Sequence, residues 1–354
     1  MKKLLYFFAK LKSEKGVTAI IVALLLVVLL GVAALAIDVG YLALAKNQCQ
    51  NAVDAAALAG ARKLGENYDT NVTPPDTNVD SVAQATAQAN KAAGKDVEVA
   101  LENIEVGVWG TEAGKPTPHF YVPVNNFFPN AVRVTTNTTF DSFFARIFGK
   151  STLDTGATAI AALFGPCIDT PTIPLGISTG WFDLNPGTGM CGKEIILGDT
   201  KDSCAGWTNL ENTKFKQQDV QDMLEGKTPM PEVHSGDIIE FGGGVIGPVL
   251  EDLLTLFDTQ KGLDDDGDPS TWTTSVVVYE GGCENPVTPY TAKGFSTIKI
   301  TAVRAPSNTS GGLKLGLTAQ IVCKMSEDNR GGCINAGTVG KYPRLVGKTA
   351  WPGF

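Results

Sequence analysis

Between Val17 and Ile37 the chain carries no charged side chain, and the apolar pattern runs on into an alanine-rich stretch ending near Leu64. At about 1.5 Å of rise per residue, this run makes a helix long enough to cross a hydrocarbon core of roughly 30 Å. Lys2, Lys3, Lys10, Lys12 and Lys15 precede it against Glu14 alone, and Asp38 follows. That excess of positive charge is expected to hold the amino terminus in the cytoplasm, with the rest of the chain beyond the membrane. A cleaved signal peptide is the competing reading, since Ala34-Leu35-Ala36 offers a small-x-small cleavage pattern. The run exceeds the roughly 7–15 residues of a signal core, and no turn former separates it from the helical pattern through Tyr41 and Leu44. A retained anchor is therefore the preferred reading.

The formal charge is −8, and residues 1–15 contribute five lysines and one glutamate, so the part beyond the membrane is more acidic still. Phosphate backbones would be repelled by it, which argues against nucleic acid as a partner. Only His119 and His234 are available for imidazole chemistry. Of seven cysteines, Cys167, Cys191, Cys204, Cys283, Cys323 and Cys333 lie between positions 167 and 333 and Cys49 stands apart. An even set in an oxidising compartment reads as disulfides, with fifteen possible pairings that the sequence leaves open. The closest cysteine spacings, ten and thirteen residues, do not form the C-x₂-C pairs of zinc sites.

After the span, Leu42, Ala45, Cys49, Ala52, Ala56 and Ala59 recur at three- and four-residue steps, the spacing of one helix stripe. Asn47, Asn51 and Asp54 keep to another stripe. Small side chains let a second backbone approach closely, so the first stripe is expected to be a packing face for a partner helix. Gly65 is the expected stop. A helix from Val17 to Leu64 would be about 70 Å long. Glu66 to Asp80, with Pro74 and Pro75, reads as a loop. A second helix is expected from Ser81 to Ala93, capped by Asp80 or Ser81 and stopped at Gly94. Alternating patterns then predict strands at Val97 to Val99, Glu105 to Trp109, His119 to Val124 and Ala131 to Thr139. A short helix is expected over Phe140 to Phe148, with Phe140, Phe143, Phe144, Ile147 and Phe148 in the core. Thr155 to Phe164 is a last strand or short helix of this unit.

From Pro166 glycine, proline and cysteine rise. Short strands are expected at Glu194 to Leu197, Asp237 to Phe241, Ser275 to Tyr279, Ser296 to Val303 and Leu315 to Val322, with helices within Ala205 to Leu224 and over Val249 to Asp258. The predicted class is α+β. Residues 1–15 form a basic tail, 16–37 the transmembrane helix, 38–65 the extended alanine-rich helix, 66–165 an α+β unit and 166–354 a β-rich, disulfide-containing domain.

Three stretches carry a family likeness. They are residues 16–26, beginning Gly16-Val17-Thr18-Ala19; residues 31–41, ending Ile37-Asp38-Val39-Gly40-Tyr41; and residues 48–61, with Asn51-Ala52-Val53-Asp54-Ala55-Ala56 at their centre. Together they resemble the amino-terminal segment of TadG-like proteins, the TadE/TadG-type components of bacterial tight-adherence (Flp) pilus machinery. The resemblance implies a single-pass inner-membrane protein with its bulk in the periplasm, assisting pilus assembly, with pilins, pseudopilins or other Tad machinery as partners. Two features depart from the pattern. Prepilin-like members are cut after a glycine followed at the fifth position by glutamate, where Gly16 here is followed by Ile21. The aspartate-x-serine-x-serine motif of von Willebrand A-type domains is missing, which removes the usual adhesion-type metal site.

Other motifs are weaker. Asp264, Asp266 and Asp268 are the best calcium candidates, but Gly267 falls between the second and third aspartates and the distal glutamate position is Ser275. An acidic turn is the plainer reading. Gly176-Ile177-Ser178-Thr179-Gly180 matches the nucleophile-elbow pattern, yet Pro171 and Pro174 upstream and Pro186 downstream argue against the strand and helix it needs. Gly242-Gly243-Gly244 lacks the lysine and hydroxyl of a phosphate loop. Cys49 is expected as a packed free thiol, with a crosslink between neighbouring helices as the alternative. No catalytic residue, cofactor or metal is assigned. The expected function is a non-enzymatic assembly component acting by helix packing and periplasmic contacts. The alternatives are an anchored envelope hydrolase and a calcium-dependent surface binding module, because an anchor does not fix function.

Overall fold

A computed structural model describes residues 14–69, 78–112, 115–123, 129–185, 190–198, 204–243, 245–264, 267–284, 286–309, 314–326, 331–333 and 336–347. The first element, α1 (Glu14–Asp69), is one unbroken helix of 56 residues. Between positions 17 and 37 its large apolar side chains all face outward. From Asp38 onward the same helix acquires a buried side, with Ala45, Cys49, Ala52, Val53, Ala56, Ala57, Ala61 and Leu64 all covered. Gly65 does not stop it. A Cβ there would lie 3.0 Å from Met325 Sδ and 3.3 Å from Leu163 Cδ1, so this glycine makes room for a neighbour instead.

The second helix, α2 (Val79–Gln88), starts two residues before the predicted one and ends five earlier. Asn78 stands at its amino-terminal cap in the left-handed region without a side-chain cap bond, and Ala83 and Ala87 face the core. Ala93 and Gly94, both at positive φ, instead turn a short hairpin that pairs 91–92 with 95–96. Residues 97–99 stay outside any sheet, although Val97 and Val99 are buried, and Val99 O accepts from Gln84 Nε2 at 2.8 Å.

Four antiparallel strands follow: β1 (Ile104–Glu112), β2 (Lys115–Tyr121), β3 (Ala131–Asp141) and β4 (Thr152–Ala162). They align in the order β4-β3-β1-β2. On β3 the even positions Val132, Val134 and Thr136 turn inward, and on β4 the odd positions Ala157, Ala159 and Ala161 do so, the two-residue period of a half-buried strand. Their outer faces carry Arg133 bonded to Glu105, Thr135 to Thr158 and Thr139 to Asp154. The helix expected over 140–148 is the end of β3, a hairpin and a 3₁₀ turn (Ala145–Phe148). Phe140 alone of its aromatics is fully buried.

The carboxy-terminal half is built on an eight-stranded sheet. Its strands are β5 (Leu175–Ser178), β6 (Glu194–Gly198), β7 (Ala205–Thr208), β8 (Phe241–Gly242), β9 (Trp272–Tyr279), β10 (Tyr290–Arg304) and β11 (Gly316–Val322), with Ile238–Ile239 pairing onto β10. The order is β6-β11-β10-β9-β5-β7-β8, and only β9 and β5 run parallel. Helices α3 (Thr179–Leu184), α4 (Gln217–Leu224) and α5 (Gly247–Gln260) flank it. Within Ala205 to Leu224, the stretch expected to hold a helix, α4 forms at 217–224, while 205–208 form β7, buried between β5 and β8. A last strand, β12 (Arg344–Val346), leaves this half and extends the first sheet beside β4.

Disulfides join Cys167 to Cys333, Cys191 to Cys323 and Cys204 to Cys283. The first spans 166 residues and clamps the pair formed by Gly165–Pro166 and Gly331–Cys333, just ahead of the return to β12. Replacing Cys167 and Cys333 by Ser is expected to cost about 2–5 kcal/mol of stability. Chemical denaturation of the full chain in detergent checks this, and an unchanged midpoint would contradict it.

Candidate functional site

Where a protein has a bilayer-length helix and a folded domain, the joint between them governs how the two act together. Here the joint is α1 lying along β3 and β4. A Cβ on Gly60 would sit 3.2 Å from Val132 Cγ1 and 3.3 Å from Ala83 Cβ, so helix, sheet and α2 meet where that side chain is missing. Eleven residues back along α1, Cys49 Sγ donates to Thr138 Oγ1 at 3.6 Å. A further eleven back, Asp38 meets the backbone of Phe143, Phe144 and Ala145. The helix therefore runs antiparallel to β3, and the β3–β4 hairpin lies level with the end of the apolar run.

The small-residue stripe lines this joint. Ala45, Cys49, Ala52 and Ala56 are completely buried, while Leu42 and Ala59 are half-buried. Opposite them lie Ala157, Ala159 and Ala161 of β4 within the same core cluster that holds Val132 and Val134. The face read from sequence as meeting a partner helix is thus covered by the chain's own sheet. Gln50 adds a polar tie, its Nε2 donating to Thr158 O at 3.1 Å and to Asp54 Oδ1 at 2.8 Å. Asn47 and Asn51 stay exposed. The Cys49 thiol is buried and free, so a crosslink between neighbouring helices would have to open this packing.

Asp38 is the group that sequence reasoning missed. Its side chain is buried, with Oδ1 accepting from Phe143 N at 2.8 Å and Oδ2 from Phe144 N at 3.0 Å and Ala145 N at 2.5 Å. Burial pushes its carboxyl pKa up, but the three amide hydrogen bonds together with the Arg146 charge outweigh that and hold it below the usual carboxylate range. The Asp38-Val39-Gly40 exit after the apolar run was a visible signal, but nothing local ties it to a turn more than 100 residues away.

The remaining candidates serve the fold. Ser178 does lie between a strand and a helix, contrary to expectation, because β5 begins only after Pro174 and α3 ends before Pro186. Its buried hydroxyl donates to Gly281 O and accepts from Gly180 N at 2.9 Å, which makes it the α3 cap. His234 is elsewhere, exposed and beside Glu232 at 3.2 Å. Asp264 Oδ2 accepts from Thr273 N at 2.6 Å, and Asp268 Oδ1 from Ser270 N at 2.9 Å and Ser270 Oγ at 2.6 Å, which braces the turn into β9. Asp266 lies outside the described residues, among which no metal-binding cluster occurs. Gly242 lies in β8, where a side chain would strike the Phe215 ring, and Gly244 is outside the described residues.

Fold and joint define a class: an α+β protein whose sheet is built onto a single helix long and apolar enough to cross a membrane. Residues 16–63 match the family model for Flp pilus-assembly TadE/G-like proteins, and residues 59–161 match that for Tad-like Flp pilus-assembly proteins. Over residues 16–161 the chain is therefore similar to TadE/G-like components of Flp pilus assembly. No curated protein and no solved structure matches the chain.

Two outcomes test the joint. Replacing Ala52 and Ala56 by Leu overpacks a filled interface, at a cost of about 1–3 kcal/mol each. A lower unfolding midpoint of the full chain in detergent is expected, and an unaltered one would show that the contact is loose. Asp38 has a depressed folded pKa, so its contribution is present at neutral pH and is lost as pH falls through that value. Slow hydrogen exchange at Phe143, Phe144 and Ala145 should therefore fade in acid, beyond the intrinsic pH dependence of exchange. In Asp38→Asn exchange there should be fast throughout, since an amide replaces one acceptor oxygen by a donor facing other donors.

Proposed function

We propose that this chain is a non-enzymatic, single-pass component of Flp/Tad pilus assembly, held in the bacterial inner membrane with its amino terminus in the cytoplasm and its bulk in the periplasm. The observation that carries this reading is the continuity of α1, which passes from the lipid-exposed stretch into the core of the first sheet without a break. A domain fused to its anchor in this way is held at one height over the bilayer. Five lysines ahead of the span support the orientation, and three disulfides support an oxidising compartment.

The small-residue face is already covered, so partners meet other surfaces. The outer face of β3 and β4 is the one that the fold leaves open, with Asn137 and Thr139 exposed beside Asp154 and Thr158. A polar, two-stranded face of this kind suits reversible contacts with pilins, pseudopilins or the secretion platform better than permanent assembly. Residues 166–354 are tied to the same anchored unit, since β12 extends the first sheet and Met325 packs at Gly65. The hydrolase alternative loses its motif support because both hydrogen-bonding functions of the Ser178 hydroxyl are engaged in the α3 cap.

The test is a photo-crosslinking residue at Asn137 in the native host, followed by mass spectrometry of the linked peptides. Adducts with pilins, pseudopilins or platform proteins are expected. Their absence, with the full-length protein confirmed in the membrane, would contradict the assembly reading.

A further inference from the structure

The hairpin between β3 and β4 holds four large apolar side chains away from the protein. Phe143 and Phe144 are 49% and 37% exposed, and Ile147 and Phe148 are 75% and 76% exposed. The turn that displays them is tied down. Ser142 N donates to Ser151 O at 3.0 Å, Ser142 Oγ to Lys150 O at 2.5 Å and Lys150 N to Ala145 O at 3.0 Å. Arg146 Nε donates back to Ser142 O at 2.9 Å, and Gly149, at φ 84°, closes the turn. Apolar side chains on a braced turn do not fold back to cover one another, and among the described residues these stay exposed.

Their position points to what covers them. Asp38, one residue beyond the apolar run, grips the amides of Phe143, Phe144 and Ala145, and the Tyr41 ring stands edge-on to Phe140 at 5.1 Å and to Phe143 at 5.0 Å. The hairpin is therefore level with the end of the run, and its apolar patch is continuous with the outward-facing helix surface. Exposed Arg146 and Lys150 lie on the same hairpin. Apolar tips flanked by cations and a tyrosine are the composition favoured at the boundary between acyl chains and headgroups.

We propose that the β3–β4 hairpin is a second membrane contact, with Phe143, Phe144, Ile147 and Phe148 seated in the leaflet that α1 leaves and Arg146 and Lys150 beside the lipid phosphates. A lone helix leaves its domain free to roll about the helix axis, whereas a helix plus a seated hairpin fixes both tilt and roll. The inference rests on the reading of residues 17–37 as a membrane span. Its test uses the full chain in liposomes of phosphatidylethanolamine and phosphatidylglycerol, with a nitroxide at Ile147→Cys, at Val27→Cys within the run, or at Leu263→Cys as an exposed reference. The native Cys49 is buried and the other cysteines are paired, so labelling is selective. The expected result is that positions 147 and 27 are both relaxed more by oxygen than by a water-soluble nickel chelate, with the opposite at 263. Position 27 in lipid with 147 in water would overturn the proposal and leave the anchor intact, as it would if a protein partner rather than lipid covers the patch. Both positions in water would overturn the span reading and the proposal with it.

Discussion

Everything else in the structure hangs on the close approach of α1 to β3 and β4. Alanines stand on both sides of that contact, Ala52 and Ala56 on the helix and Ala157, Ala159 and Ala161 on the sheet. Small side chains bring the two backbones near enough for many weak contacts to accumulate over several helical turns, and leave no void in which the helix could rock. The missing side chain of Gly60 lets α2 join the same contact through Ala83. Because the long apolar helix is itself a core element, its direction and that of the sheet are fixed to each other.

The carboxy-terminal half bears on that same helix. Met325 packs at Gly65, and β12 returns to lengthen the first sheet beside β4. Three disulfides close this half upon itself, and the Cys167–Cys333 bond stands where the chain leaves one sheet and later comes back to it. Asp38 performs the complementary task at the other end of the joint, holding the hairpin against the helix with a buried carboxylate whose ionised form the surrounding amides favour.

Much of the local structure was legible from sequence. The apolar run and the alternation in β1 and β3 report burial at a spacing set by the backbone itself, and strands at β9, β10 and β11 and a helix at α5 were expected as well. The stripe through Ala45, Cys49, Ala52 and Ala56, read as a face for a partner helix, is buried against the chain's own sheet, because a stripe encodes a distance of approach and says nothing about what approaches. Phe143, Phe144, Ile147 and Phe148 were read as core because such residues usually are. They lie instead on the hairpin at the end of β3 and β4, where the described residues leave them exposed. The helix expected within 205–224 occupies only its end, because residues 205–208 are taken up as β7 between β5 and β8. The serine at 178 kept its strand-to-helix setting despite the neighbouring prolines, yet its hydroxyl was taken up by backbone.

By itself the sequence determined the long helix, the length of its apolar part, the α+β class and the presence of an even cysteine set. These depend on side-chain type and on periods of two to four residues, which any short window contains. The tertiary structure alone decided which surface the small-residue stripe meets, which cysteines pair, where β12 goes and that Asp38 grips a turn 106 residues away. Each of those is a choice among distant segments. It is settled by how the whole chain closes around one core, and no local pattern carries that information.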